Sequence, residues 1–143
     1  PGDKWKRTDK KNIVEIMAAH RIPYAATASI AYPEDFERKM RKAASIRSGL
    51  RFIHLYSSCP TGWGFAPENS VKVARLAVQT KAFPLYEVED GIKYTINESG
   101  NKPVKEYLRT QNRFRHLSDG DIARIQEHVD GEWKRLLCKA EEE

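Results

Sequence analysis

The sequence predicts an α/β fold: a mostly parallel sheet with helices on both faces, followed by a small C-terminal hairpin and helix. Three observations carry this. The run Tyr24-Ala25-Ala26-Thr27-Ala28-Ser29-Ile30 is small and largely apolar, the texture of a strand buried on both faces. A helical pattern separates it from a second apolar run at 50–56, and strand–helix–strand at these lengths makes a right-handed crossover between parallel strands. Beyond residue 89 the pattern changes to a hairpin signal and one long amphipathic stretch.

Each element has a local reason. Residues 9–20 read as a helix, with Asp9 as a cap, Ile13, Ile16, Met17 and His20 on one face, and Pro23 ending it. Pro33-Glu34-Asp35 opens the next helix, because proline fits a first turn and acids suit the positive end of the helix dipole. Its predicted inner stripe is Phe36, Met40, Ala43 and Ala44, with Arg38, Lys39, Arg41 and Lys42 facing water and Gly49 closing the helix. After the second strand comes a turn-rich loop, then a helix from Asn69 or Ser70 with Val71, Ala74 and Val78 on one side. Residues 83–89 form a strand, Asp90-Gly91 a turn, and 92–96 the returning strand. Residues 104–109 make a short helix. Ser118-Asp119 caps the last one, in which Ile122, Ile125, Val129, Trp133 and Leu136 recur at helical steps.

Composition narrows the function classes. The 143 residues suffice for one modest domain with a real core. No apolar run approaches the ~20 residues of a membrane helix, so no membrane partner is expected. The net charge of +5 favours acidic partners. Cys59 and Cys138 do not make a disulfide framework, which points to a reducing, cytoplasmic setting. Cys138, beside Leu137 on the last helix, is predicted to pack. The opening residues are basic with no apolar run after them, so no signal peptide is predicted; a start without Met reads as a fragment or a processed chain.

The stretch with most chemistry in it is Tyr56-Ser57-Ser58-Cys59-Pro60-Thr61-Gly62-Trp63-Gly64. Pro60 fixes one backbone angle, the glycines relax others, and Trp63 is a large apolar group on an expected surface loop. In a parallel sheet, ligands bind outside the carboxyl ends of the strands. Two such ends, at 29–32 and 57–59, are predicted on one edge, so Cys59 and the Ala31-Tyr32 turn should border the same crevice. A lone loop cysteine can be a ligand, a nucleophile or an ordinary small side chain, and the residues alone leave these open. His20 and His54 have no acid at dyad spacing and read as structural, and His116 and His128 as exposed. Lys4-Trp5-Lys6-Arg7 with Lys10-Lys11 reads as a solvated basic arm. A basic α/β binding module for an acidic protein or nucleic acid, without cofactor, is the alternative function class.

Several phrases carry a resemblance. They are the run at 22–36 (Ile-Pro-Tyr-Ala-Ala-Thr-Ala-Ser-Ile-Ala-Tyr-Pro-Glu-Asp-Phe), Cys59-Pro60-Thr61-Gly62-Trp63, Ala74-Arg75-Leu76-Ala77-Val78 with Phe83-Pro84-Leu85-Tyr86-Glu87, and Gln111-Asn112-Arg113-Phe114-Arg115. In order and spacing they resemble the C-terminal half of the β subunit of the 2-oxoacid:ferredoxin oxidoreductase family, pyruvate synthase in particular. The resemblance implies that 1–89 is the C-terminal portion of a thiamine-diphosphate-binding α/β domain and 90–143 a hairpin and helical extension. It implies oxidative decarboxylation of pyruvate with coenzyme A to acetyl-CoA, carbon dioxide and reduced ferredoxin. Thiamine diphosphate with magnesium and a 4Fe–4S cluster are the implied cofactors.

Cys59 matches the position of the fourth cluster ligand, the other three belonging to the N-terminal half of the subunit. Tyr32 is then a candidate for the thiamine or substrate pocket, and Ser58 for hydrogen bonds to cluster sulfurs. The implied partners are the N-terminal half, other oxidoreductase subunits and ferredoxin, whose acidity suits a basic face; no nucleic acid is implied. The family's Gly-Asp-Gly diphosphate phrase and a Cys-x-x-Cys pair are both missing from this sequence. The chain by itself is therefore expected to be inactive and to hold no intact cluster.

Overall fold

β1 (Tyr24–Ser29) is the fully buried centre of a four-stranded sheet ordered β2-β1-β3-β4 in the computed structural model, which describes residues 10–141. Its alanines leave room for helices on either side. On one face α1 (Ile13–Ala19) and the long α6 (Asp119–Glu141) pack down, joining Val14, Ala18, Ala25, Val88 and Leu136. On the other face α2 (Pro33–Ser45) sets Ala43 against Tyr24 and Ala26. β2 (Arg51–Tyr56) runs parallel to β1, from Tyr24 opposite Arg51 to Ser29 opposite Tyr56, as the crossover predicts. Helices cover both faces, and the α/β class holds.

The sheet is mixed, however, and not mostly parallel. β3 (Leu85–Glu89) runs antiparallel to β1, and β4 (Lys93–Glu98) antiparallel to β3. The reason lies in the connection after β2. The chain forms a one-turn helix α3 (Pro60–Trp63), a 3-10 turn at Pro67–Asn69 and α4 (Ser70–Gln79), and then re-enters the sheet beside the carboxyl half of β1. There Thr27 Oγ1 donates to the Pro84 carbonyl at 2.8 Å and accepts the Tyr86 N–H at 2.9 Å. A connection that comes back to the edge it left delivers a strand running the opposite way. Asp90 and Gly91 then turn it with φ of 51° and 73°, the geometry of a tight primed hairpin turn. A register shift opposite Leu85 and Tyr86 leaves Asn97 as the extra residue of β4.

Three predicted faces are also corrected. α1 begins at Ile13, with Asn12 Oδ1 accepting the Glu15 N–H at 3.3 Å; Asp9 and the basic stretch 4–7 lie outside the described residues. Its buried face is Val14 and Ala18, so Ile13, Ile16 and His20 point outward. In α2, Lys39 is 0% exposed while Met40 is 47% exposed, because the Lys39 ammonium reaches the sheet, donating to the Thr27 carbonyl of β1 at 2.8 Å and to Asp35 at 2.7 Å. Cys138 is exposed, since it lies two residues past the buried Leu136, roughly 200° further round a helix of 3.6 residues per turn.

A second core closes the carboxyl end of β2. Val73, Leu76 and Val78 of α4 meet Phe83, Leu85, Val104 and Leu108 of α5 (Val104–Arg109), and Ile122 and Val129 of α6. The reading of Ser118 as the cap of α6 holds: Ser118 Oγ accepts the Asp121 N–H at 3.1 Å, and Asp121 Oδ2 accepts the Ser118 N–H at 2.9 Å. Among the described residues, no helix is long and apolar enough to cross a membrane.

Candidate functional site

The two strand ends meet as the parallel pairing requires: the Ile30 N–H donates to the Tyr56 carbonyl at 3.2 Å. Beyond Tyr56 the chain does not stay a loop. Cys59 becomes the N-cap of α3, with Pro60 in the first turn, the Trp63 N–H donating to the Cys59 carbonyl at 3.0 Å and the Gly62 N–H reaching Cys59 Sγ at 3.4 Å. The thiol is free and exposed. A Cβ placed on Gly62 would stand 3.1 Å from that sulfur, so the absent side chain is what lets the turn close around it. Gly64 ends the turn with φ of +70°, and its open side presses on Asn112, whose Cβ would lie 2.8 Å from an added Cβ.

This turn rests on aromatic rings. Trp63 is half-buried, its ring centroid 5.8 Å from that of Tyr56 and 6.3 Å from that of Phe65. The Arg113 guanidinium covers its other side, 3.9 Å from the Trp63 centroid and 4.5 Å from that of Phe114. The Tyr56 and Tyr107 hydroxyls share a hydrogen bond of 2.7 Å; burial and then the neighbouring Tyr107 push the Tyr56 hydroxyl far above its ordinary range, so it stays protonated. Asn112 and Arg113 stand in the phrase at 111–115 that carries the resemblance, but nothing local in the sequence places them at this turn. The tail phrase was the available signal; its contact with a turn some fifty residues earlier exists only in the folded chain.

Ser58 Oγ donates to the Ser70 carbonyl at 3.0 Å, which ties the Cys59 turn to the start of α4. Tyr32 precedes α2 and packs beside the core, with the Arg75 guanidinium 5.8 Å from its ring. It borders an open cleft of about 800 Å³ with Asp35, Arg38, Arg75, Asn97 and Glu98. Burial, with Glu98 beside it, raises the Tyr32 hydroxyl, and Arg75 pulls the other way. Asn97 Oδ1 is buried there without a hydrogen-bond partner. Cys59 is not among the residues around this cleft. The expected common crevice is thus not formed: the strand ends are adjacent, but Tyr32 opens toward the β4 side of β1 and Cys59 lies on the β2 side. His54 stacks edge-on against Phe83 with centroids 5.2 Å apart, and burial followed by the nearby Lys10 lowers its pKa, in keeping with a structural role.

As a metal ligand Cys59 fits one position. Its sulfur is accessible and already accepts a backbone N–H, features that thiolates bound to iron–sulfur clusters use. Among the described residues no group of three or more His, Cys, Asp or Glu is arranged to hold a metal, so any other ligands must come from elsewhere. The residues do not fit magnesium and a diphosphate. Asp90-Gly91 is a hairpin turn, Asp119-Gly120-Asp121 opens α6, and Asp130-Gly131 lies within it.

No protein-family model matches the chain. It is 53% identical over 138 residues to the pyruvate synthase subunit PorB of Methanocaldococcus jannaschii, covering 94% of this chain and 46% of that protein. It is 51% identical over 140 residues to the ketoisovalerate oxidoreductase subunit VorB of Pyrococcus furiosus, covering 95% of this chain and 44% of that one. It is 44% identical over 138 residues to PorB of Thermotoga maritima, covering 92% and 42%. The chain therefore spans a little under half the length of the curated relatives it matches.

Proposed function

We propose that this chain belongs to the family of the PorB and VorB subunits of 2-oxoacid:ferredoxin oxidoreductases and works as the C-terminal part of such a subunit in a cytoplasmic complex. The reaction is the oxidative decarboxylation of a 2-oxo acid with coenzyme A, the electrons leaving to ferredoxin. Pyruvate is the substrate we assign first: pyruvate synthase subunits are named among the relatives at 44–53% identity, and ketoisovalerate oxidoreductase subunits among those at 48–51%. Thiamine diphosphate with magnesium is held by the rest of the subunit, and no step through it is drawn from the residues described.

The observation that carries the proposal is the Cys59 turn. Cys59 binds one iron of a 4Fe–4S cluster whose other three thiolates come from the N-terminal half. When bound, that cluster supplies one-electron transfer. The chain's own residues hold the sulfur in place: Gly62 offers its N–H to Sγ, Trp63 shields the turn, and Ser58 fastens it to α4. Tyr32, whose cleft opens on the β4 side and apart from Cys59, is assigned to the thiamine or substrate pocket.

Replacing Cys59 by Ala in the full subunit, assembled with its partners, is the test. One cluster should be lost or converted, ferredoxin reduction should fall at least tenfold, and the complex should still assemble. Iron quantification with low-temperature paramagnetic spectra reads this out. A full set of clusters with unchanged turnover would make Cys59 a simple loop residue. Comparing pyruvate with 3-methyl-2-oxobutanoate on the wild-type complex decides the substrate.

A further inference from the structure

We infer that Arg113 is the positioning residue of the Cys59 turn: through Trp63 it fixes the sulfur's place and sets a positive charge against that turn, raising the reduction potential of a cluster bound there. The inference rests on the reading of Cys59 as an iron ligand.

α3 is four residues long, far too short to hold itself. Thr61 and Gly62 are exposed and contribute little packing. Much of what fixes the turn comes from the segment after α5. The Asn112 N–H donates to the Gly64 carbonyl at 3.2 Å. The Arg113 guanidinium lies 3.9 Å from the Trp63 ring centroid and 4.5 Å from that of Phe114. Arg113 is itself held. Its Nε–H donates to Gln111 Oε1 at 2.9 Å, and a terminal N–H points to the Tyr107 hydroxyl at 3.4 Å. Gln111 is 2% exposed and donates back to the Tyr107 carbonyl at 2.9 Å. Since Tyr107 also bonds Tyr56, the last residue of β2, the contacts close a ring: Tyr56, Tyr107, Arg113, Trp63 and back through the turn to Cys59.

Two consequences follow from charge. Among the described residues no carboxylate pairs with Arg113; its recorded partners are an amide oxygen, a hydroxyl and two aromatic rings. Arg113 is partly buried against two rings, so its field is less screened than that of a fully exposed arginine. Trp63 closes the same turn as Cys59, its N–H donating to the Cys59 carbonyl at 3.0 Å. A cluster that takes up an electron becomes more negative, and a fixed positive charge near its ligand favours the reduced form. Lysine would carry the charge without the planar stacking or the fork of donors.

The experiment uses the full subunit in its assembled complex with three substitutions: Cys59→Ala, Arg113→Met and Arg113→Lys. Iron content and a spectroscopic redox titration of every cluster are measured for each. Cys59→Ala identifies which signal belongs to the Cys59 cluster. Arg113→Met should keep that cluster's iron but move its midpoint to a more negative potential and change its reduced-state spectrum, leaving the other clusters unmoved. Arg113→Lys should fall between Arg113→Met and the wild type, and decides the matter alone if Arg113→Met does not assemble. Wild-type midpoint and spectrum in the arginine variants, with the Cys59 signal identified, overturns the inference and leaves the role of Cys59 intact. An unchanged set of clusters in Cys59→Ala overturns both.

Discussion

Glu87 shows how one residue can reorganise a face. It sits on β3 under α2, only 3% exposed, and accepts hydrogen bonds from the Tyr24 hydroxyl at 2.6 Å, Arg38 at 2.9 Å, Asn97 at 3.2 Å and Lys42 at 3.3 Å. Burial alone would raise its pKa. The bonds from Tyr24 and Arg38 and the charge of Lys42 outweigh burial and bring it down to about 2. A carboxyl lowered in the folded state contributes stability that is fully present above its unfolded value of about 4.3 and is lost as pH falls toward about 2. Denaturant midpoints should therefore drop across that window in the wild type, and less steeply in Glu87→Gln, which cannot ionise. Glu87→Ala leaves the buried Tyr24 hydroxyl without its acceptor, while Arg38 and Lys42 keep Asp35 and Glu89, and should cost about 1–3 kcal/mol at neutral pH. A midpoint in Glu87→Ala within error of the wild type would show that the cluster is not cooperative with the fold.

Among the elements, the hairpin of β3 and β4 gives a sharp test. Gly91 has φ of +73°, and a Cβ there would stand 2.3 Å from the Ala18 carbonyl oxygen and 2.9 Å from Arg21 Cα. The turn is thus docked on the end of α1 as well as bent. Gly91→Ala should lower stability by roughly 1–3 kcal/mol from backbone strain alone, with the clash added to it. Equilibrium unfolding measures this, and an unchanged midpoint would mean that the turn does not sit on α1. The Cys59 segment behaves differently: its turn borrows its shape from Asn112 and Arg113, so changes in the tail should be felt at Cys59 before they are felt in global stability.

At the scale of the whole molecule, β2 is an edge strand with an open row of backbone groups. Apolar side chains crowd that side: Leu50 at 55% exposure and Leu55 at 41%, with Ile30 at the adjoining strand end and Met40 on the neighbouring α2. Such an edge invites pairing. Trp63, by contrast, adds little to the patch, since Arg113, Tyr56 and Phe65 lie against its ring. The isolated chain should self-associate with rising concentration, and Leu50→Lys with Leu55→Lys should return it to monomer without loss of secondary structure. Sedimentation velocity checks both, and a wild-type chain that stays monomeric at every concentration would show that this edge is protected. In the full subunit the amides of β2 should exchange more slowly than in the isolated chain.

The sequence by itself determined the elements and the character of the Cys59 turn, because these are local. Alanine-rich texture marks β1, proline and acids start α2, Asp90-Gly91 makes the turn, Ser118 with Asp121 caps α6, and proline and glycines around Cys59 announce a special backbone. Only the tertiary structure decided what those elements face. The direction of β3 depends on where α4 returns the chain, which no residue of β3 encodes. Lys39 is buried and Met40 exposed because the Thr27 carbonyl of β1 lies under α2 to accept the ammonium beside Asp35, a partner written on another element. Arg113 reaches Trp63 because α5 and the turn after it pack against the end of β2, a long-range contact with no periodicity to reveal it. Local sequence sets propensity and period; which faces meet is fixed by the shape and charge of what lies opposite.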